Sequence, residues 1–248
     1  MYVKVYGEGD QQYLCFHGWG GDHREFAPLA RYAPAGICMH CVDLPGYGRS
    51  PRPRKWEMKV ITQEALGYLE KCDITSSILI GFCSGVGLAL TLGSIAPGRV
   101  RRIFMIDPFA FVPFYFKLFL WGEFGRRAYN TTFEKSIGIK ITDWVLKRLQ
   151  KSDADFTNAF VELDHNVTLR YLQLLHRIDV RREFSGLKMD VDILYGKYTF
   201  DSVRRSVDIY KSLLPQIKTH ELDDVGHLPM IKDARQLAEA IFHTANNR

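Results

Sequence analysis

Six short apolar runs recur along the chain, each stopped by turn residues, with amphipathic stretches of helix length between them. Gln12–Phe16 stops at His17-Gly18, Ile37–Val42 at Asp43-Leu44-Pro45-Gly46, and Ser77–Ile80 at Gly81. Val100–Ile106 stops at Asp107-Pro108, Val191–Tyr195 at Gly196, and Ile217–Leu222 runs into Asp223-Asp224-Val225-Gly226-His227. These runs do not alternate cleanly between polar and apolar. That is the pattern of strands covered on both faces, as in a parallel sheet. Helical periods occupy roughly 23–33, 57–72, 84–96, 202–214 and 229–245. Strand then helix, repeated, predicts an α/β fold with a mostly parallel, doubly wound sheet.

The alternation stops between Phe109 and Arg182. This stretch reads as helices without strands and holds 14 of the 32 aromatic residues, well above its share. The predicted division is therefore a core of residues 1–108 and 183–248 with a helical lid, 109–182, inserted into it. The aromatic face of the lid has two uses, packing a small core of its own and lining a pocket for an apolar substrate. The run FAFVPFYFKLFLW can form a helix with Phe111, Phe114, Tyr115 and Leu118 on one face. Such a strip holds an acyl chain by burying apolar area, worth about 25 cal/mol per Å².

Composition limits the function classes. With 248 residues, 46% hydrophobic and 25% charged, the chain is an ordinary globular sequence of one core plus an insertion. A net charge of +5 is too mild to suggest nucleic-acid binding, which needs a concentrated basic stripe. Five cysteines are an odd number without a pair of CxxC motifs. A disulfide framework or zinc site is not expected, no cofactor is implied, and a reducing, cytoplasmic setting is. The N-terminus lacks an apolar core of signal-peptide length. The longest apolar stretch, Phe109–Trp121, contains Pro113 and Lys117 and is too short to span a bilayer.

The chemistry centres on Gly81-Phe82-Cys83-Ser84-Gly85, between a strand pattern and a helical one. Glycines two before and two after a central residue mark a strained strand-to-helix turn that presents a nucleophile. The residue with that spacing is Cys83, not Ser84. A thiolate is intrinsically more nucleophilic than a serine hydroxyl, and a helix N-terminus favours the anion. A structural cysteine in a degenerate turn is the competing use. The loop His17-Gly18-Trp19-Gly20-Gly21 follows the first clear strand, where a backbone N–H for an oxyanion hole is expected. That assigns Trp19 N–H, with Ser84 N–H as its partner. Of the eight histidines, only His227 follows the last strand and precedes the last helix, the place for a general base. The acid should follow VDILYG. Three residues past Gly196 stands Thr199, and Asp201 is two further on, so Asp201 is the first choice. Asp107, closing the strand after the elbow, is the alternative.

These motifs, HGWGG (17–21), DLPGYGRS (43–50), GFCSG (81–85) and DVGH (224–227), resemble the α/β-hydrolase family across nearly the whole core. HGWG together with VDLPGYGRS is similar to pimeloyl-acyl-carrier-protein methyl ester esterases and their small carboxylesterase relatives. The resemblance implies a helical lid between the sixth and seventh strands and hydrolysis of an ester or thioester of a medium or long acyl chain. The family's serine maps to Cys83, its base to His227, its second oxyanion position to Trp19 and its acid near Thr199. Two catalytic positions are thus altered.

The expectation is a metal-free, cofactor-free acyl hydrolase working through Cys83, His227 and Asp201, with Trp19, Phe111, Phe114 and Tyr115 lining the acyl site. Two rivals stay open, an acyltransferase using the same cysteine and a non-catalytic acyl-binding relative. From Lys117 to Arg182 there are twelve Lys or Arg against eight Asp or Glu. Arg126-Arg127, Lys147-Arg148 and Arg181-Arg182 are paired bases on or near the lid. Acyl carrier protein is acidic, so a basic lid would steer it. A plain solvated face accounts for the same charges. Arg49, Arg52, Arg54 and Lys55 form a second basic loop open to the same two uses.

Overall fold

Residues of the predicted strands divide between two apolar cores. Leu14, Phe16, Val42, Leu79, Ile103 and Ile193 pack on one side, and Tyr13, Cys15, Cys41, Ile78, Ile80 and Phe104 on the other. Successive side chains of a strand point to opposite faces. A sheet buried on both sides therefore needs apolar residues at nearly every position, which is why the runs lack alternation. The computed structural model describes residues 1–133, 138 and 164–246.

The strands are β2 (Gln11–Phe16), β3 (Ile37–Asp43), β4 (Ser77–Phe82), β5 (Val100–Ile106), β6 (Asp190–Gly196) and β7 (Lys218–Leu222). A seventh, β1 (Tyr2–Tyr6), pairs antiparallel with β3 at the sheet edge. The order is β1-β3-β2-β4-β5-β6-β7, and every pair after the first is parallel. The chain is thus an α/β-hydrolase-type sheet of seven mostly parallel strands flanked by helices.

Helices α1 (Ala27–Ala30), α2 (Met58–Lys71) and α3 (Gly85–Ile95) fall within the predicted periods. Leu88, Ala89, Leu90 and Leu92 of α3 are all fully buried. A helix apolar all round belongs in the middle of a fold. Between β5 and β6 the described residues form only helices and turns: α4 (Phe114–Lys117), α5 (Gly122–Phe133), α6 (His165–Arg177) and α7 (Val180–Phe184). They share a small core of Val112, Phe119, Tyr129, Phe133, Leu169 and Leu172. The last elements are α8 (Asp201–Leu213), α9 (Pro229–Lys232) and α10 (Ala234–Asn246). The basic pair Lys147-Arg148 lies outside the described residues.

The single helix expected over FAFVPFYFKLFLW does not form. Pro113 sits at ψ 147°, outside the helical region, so α4 starts only after it. One turn later the chain tightens into a 3-10 turn, Leu118–Leu120. The break rotates the side chains apart, and Phe114 is 84% exposed. Phe114 is therefore not a wall of the pocket, and that expectation is corrected.

In the sheet β2 has β3 on one side and β4 on the other. The loops after β2 and β4 leave the sheet in opposite senses, which opens a crevice at the carboxyl ends of these strands.

Candidate active site

Two glycines make the turn after β4, and each is required by a backbone clash. A Cβ on Gly81 would lie 2.6 Å from Val86 Cα, and one on Gly85 would lie 2.2 Å from the Phe16 carbonyl oxygen. Strand, helix and the end of β2 thus approach more closely than any side chain permits. Cys83, between them, has φ +50°, a left-handed conformation that costs a non-glycine residue about 1–3 kcal/mol. Its N–H donates to Ile106 O at 2.9 Å, which ties the strained turn to β5. The sulfur is half-buried rather than sealed in the core.

His227 is buried, 8% exposed, among the rings of Phe82, Phe109 and Phe200. Its Nδ1 lies 3.1 Å from Asp107 Oδ2, and Cys83 is close enough to shift its titration. Burial alone lowers an imidazole pKa. The hydrogen bond to Asp107, and the interactions with Cys83 and with the Asp107 charge, outweigh it and raise His227 to about 10.

The carboxylate beside His227 is therefore Asp107, not Asp201. Asp107 ends β5 at φ +44°, is fully buried, and also accepts the Gly196 N–H at 3.2 Å. Asp201 is the first residue of α8, where its side chain faces solvent. Thr199 is 5% exposed, and its Oγ1 has no hydrogen-bond partner among the described residues. The position three beyond β6 thus holds no carboxylate, and the neighbouring strand supplies one.

The loop 17–21 packs directly on the elbow, since a Cβ on Gly18 would come 3.4 Å from Cys83 Cβ. His17 shapes this loop. It is fully buried, with Nδ1 donating to Gly18 O at 2.8 Å and Nε2 accepting Leu44 N–H at 3.0 Å. Burial pushes its pKa down to about 4, so it is neutral. Glu25, which the sequence patterns did not single out, accepts the Gly18 N–H at 2.8 Å. Burial raises its pKa to about 7 against the opposing pull of that bond. Asp43, in the DLPGYG motif, is fully buried and accepts the N–H groups of His23 and Arg49, both at 2.8 Å. That motif is a clasp between two loops. Asp22, His23 and Asp43 are close enough to share a metal ion, yet these carboxylates already serve Arg24, Arg49 and His23.

A pocket with about 630 Å³ of empty space, part of it open to solvent, lies over Cys83. Trp19 and Ser84 line it beside the sulfur, and Phe111, Phe116, Leu175 and Phe184 line it further in. Trp19 is held by Nε1–H donating to Thr168 O at 3.0 Å and by edge contacts with Phe116 and Phe133. Tyr115 is 40% exposed and does not line the pocket. A constrained thiol, an imidazole fixed by a carboxylate, and an apolar chamber above them are the parts of a nucleophilic acyl-transfer site.

Residues 13–240 match the family described as alpha/beta hydrolase. A pimeloyl-[acyl-carrier protein] methyl ester esterase of Klebsiella pneumoniae is 21% identical over 98% of this chain and 96% of its own length. One from Pseudoalteromonas atlantica is 22% identical over 92% of each. Among solved structures, an esterase from Exiguobacterium antarcticum superposes with TM-score 0.81 at 16% identity, covering 98% of this chain and 94% of its own. The enol-lactonase of Burkholderia xenovorans gives 0.75 at 16% identity, over 98% and 96%.

Proposed function

The chain belongs to the alpha/beta hydrolase family, and we propose that it is an acyl hydrolase, a carboxylesterase or thioesterase working through an acyl-Cys83 intermediate. The observation that carries this reading is Cys83 at φ +50°, beside the His227 imidazole that Asp107 holds and lining an apolar pocket.

His227 takes the Cys83 proton, and its raised pKa favours the imidazolium that results. The sulfur then attacks the carbonyl carbon, and an S–C bond forms as the carbonyl π pair moves to oxygen. Trp19 N–H and Ser84 N–H are our assignment for the oxyanion hole. Ser84 opens α3, where the first N–H groups have no intrahelical acceptor. Collapse of the adduct breaks the bond to the alcohol or thiol, which leaves with the proton from His227. Neutral His227 then takes a proton from water, whose oxygen attacks the acyl-Cys carbonyl. Expulsion of the sulfur releases the acid and restores the pair. Asp107 keeps the ring oriented and stabilises the imidazolium.

The inserted helices form the lid of this site. Relatives named for acyl-carrier-protein substrates support a carrier-bound acyl group docking there. Arg181 and Arg182 at α7 are exposed, while Arg126 is paired with Glu123 at 2.8 Å. All five cysteines are free, as a reducing cytoplasmic setting favours.

The test is incubation with a p-nitrophenyl acyl ester, followed by intact-mass analysis. An acyl adduct on Cys83, with turnover abolished in Cys83→Ala, is expected. Undiminished turnover in Cys83→Ala removes the cysteine from the mechanism and leaves an acyl-binding relative or a different nucleophile.

A further inference from the structure

Gly87 is a glycine that the backbone does not need. It lies inside α3, away from the left-handed region, and there glycine is less stable than alanine. A Cβ at Gly81 or Gly85 would strike backbone, whereas one at Gly87 would meet only side-chain ends. Leu175 Cδ2 would be 3.2 Å away, Ile178 Cδ1 3.3 Å and Met58 Cε 3.9 Å. Gly87, Leu175 and Ile178 all line the pocket over Cys83. Gly87 is four residues beyond Cys83, in the first turn of α3. The missing side chain thus lets the ends of Leu175 and Ile178 close on α3, and a larger side chain there must displace them within the pocket that all three line.

The same wall lacks charge. No Asp, Glu, Lys, Arg or His lines the pocket among the described residues. The hydroxyl of Tyr210, another lining residue, donates to Phe109 O at 3.2 Å. Burying an unpaired carboxylate or ammonium in such a chamber is prohibitive.

We infer that the pocket accepts acyl chains uncharged along their buried length, and that the packing of Leu175 and Ile178 on Gly87 sets the length. The inference rests on the hydrolase reading for its assay but not for its binding test.

The experiment compares acetyl, octanoyl and ω-carboxylated octanoyl p-nitrophenyl esters with wild type and Gly87→Leu, and measures octan-1-ol binding by calorimetry. Wild type should prefer octanoyl to both other esters. Each methylene excluded from the pocket costs about fourfold, so exclusion of two lowers octanoyl kcat/KM about 15-fold. Octanoyl turnover should fall several-fold more than acetyl turnover, and octan-1-ol binding should weaken in parallel. Ile178→Phe, which enlarges the side chain packed on Gly87, should give the same shift if Gly87→Leu does not fold. An equal fall for acetyl and octanoyl esters, or unchanged selectivity in a folded variant, overturns the role of Gly87. Equal use of the ω-carboxylated ester overturns the uncharged-chain claim. If wild type turns over none of the esters while Gly87→Leu still weakens octan-1-ol binding, the hydrolase reading fails and the gauge stands.

Discussion

Replacing Asp107 with Asn tests the choice of carboxylate most sharply. Asp107 is fully buried and its Oδ2 sits 3.1 Å from His227 Nδ1. Asn keeps the shape and still offers an oxygen to Gly196 N–H, but it removes the charge that favours the imidazolium. A hydrogen bond to a charged group is worth about 1.5–3 kcal/mol net. At 1.36 kcal/mol per decade, acylation should slow roughly 10- to 150-fold. The pH profile supplies a second reading. A proton held on His227 is the one given to the leaving group, so wild-type acylation should persist through neutral pH and fall as pH rises through about 10. Without Asp107 one of the causes that raise this pKa is gone, and the alkaline fall moves to lower pH. Stopped-flow release of p-nitrophenolate in single turnovers measures both, with near-ultraviolet circular dichroism as a check on folding. Asp201→Asn, on the exposed start of α8, should stay within about twofold, as surface substitutions do. If Asp201→Asn is the variant that slows acylation, or if Asp107→Asn leaves rate and alkaline limb unchanged, the assignment of Asp107 is refuted.

Two further predictions concern stability. Glu25 has a folded pKa raised to about 7, so the folded state binds more protons than the unfolded one between about pH 4.5 and 7. Stability should therefore fall across that window, and Glu25→Gln should flatten the fall, by roughly 1–3 kcal/mol at pH 8 and by nothing near pH 4. Urea unfolding at the two pH values reads it, and equal effects at both would count against the burial argument. Gly85→Ala places a methyl 2.2 Å from the backbone oxygen of Phe16 and should cost about 2–3 kcal/mol or more, lowering Tm by roughly 5–10 °C. Gly67→Ala, in α2 with open space around it, should be neutral or slightly stabilising. A similar Tm for both variants in a thermal melt would contradict the steric account of the elbow.

The elbow was readable from five residues because its constraint is local. Gly81 and Gly85 are needed by atoms a few positions away and by the end of one adjacent strand. The parallel strands were readable because burial on both faces leaves them no polar positions. β1 was not, since YVKVY is a half-exposed edge strand whose burial comes from one neighbour. The carboxylate was misjudged for a different reason. Counting from β6 led to Asp201, but the carboxylate that reaches His227 ends β5, which lies between β4 and β6 in the sheet. Phe114 was misplaced by extending one helical period across Pro113, which ends it.

Because the carboxylate comes from the tip of β5, the stretch Lys197–Phe200 after β6 carries no proton-handling duty. Sulfur and carboxylate hang instead from two adjoining central strands, joined where Cys83 N–H meets Ile106 O. The pair is thereby held by two adjoining central strands, and of the stretch beyond β6 only Phe200, whose ring packs on the His227 imidazole, has to be kept for its setting. A graft that redirects the enzyme toward a new acceptor belongs there.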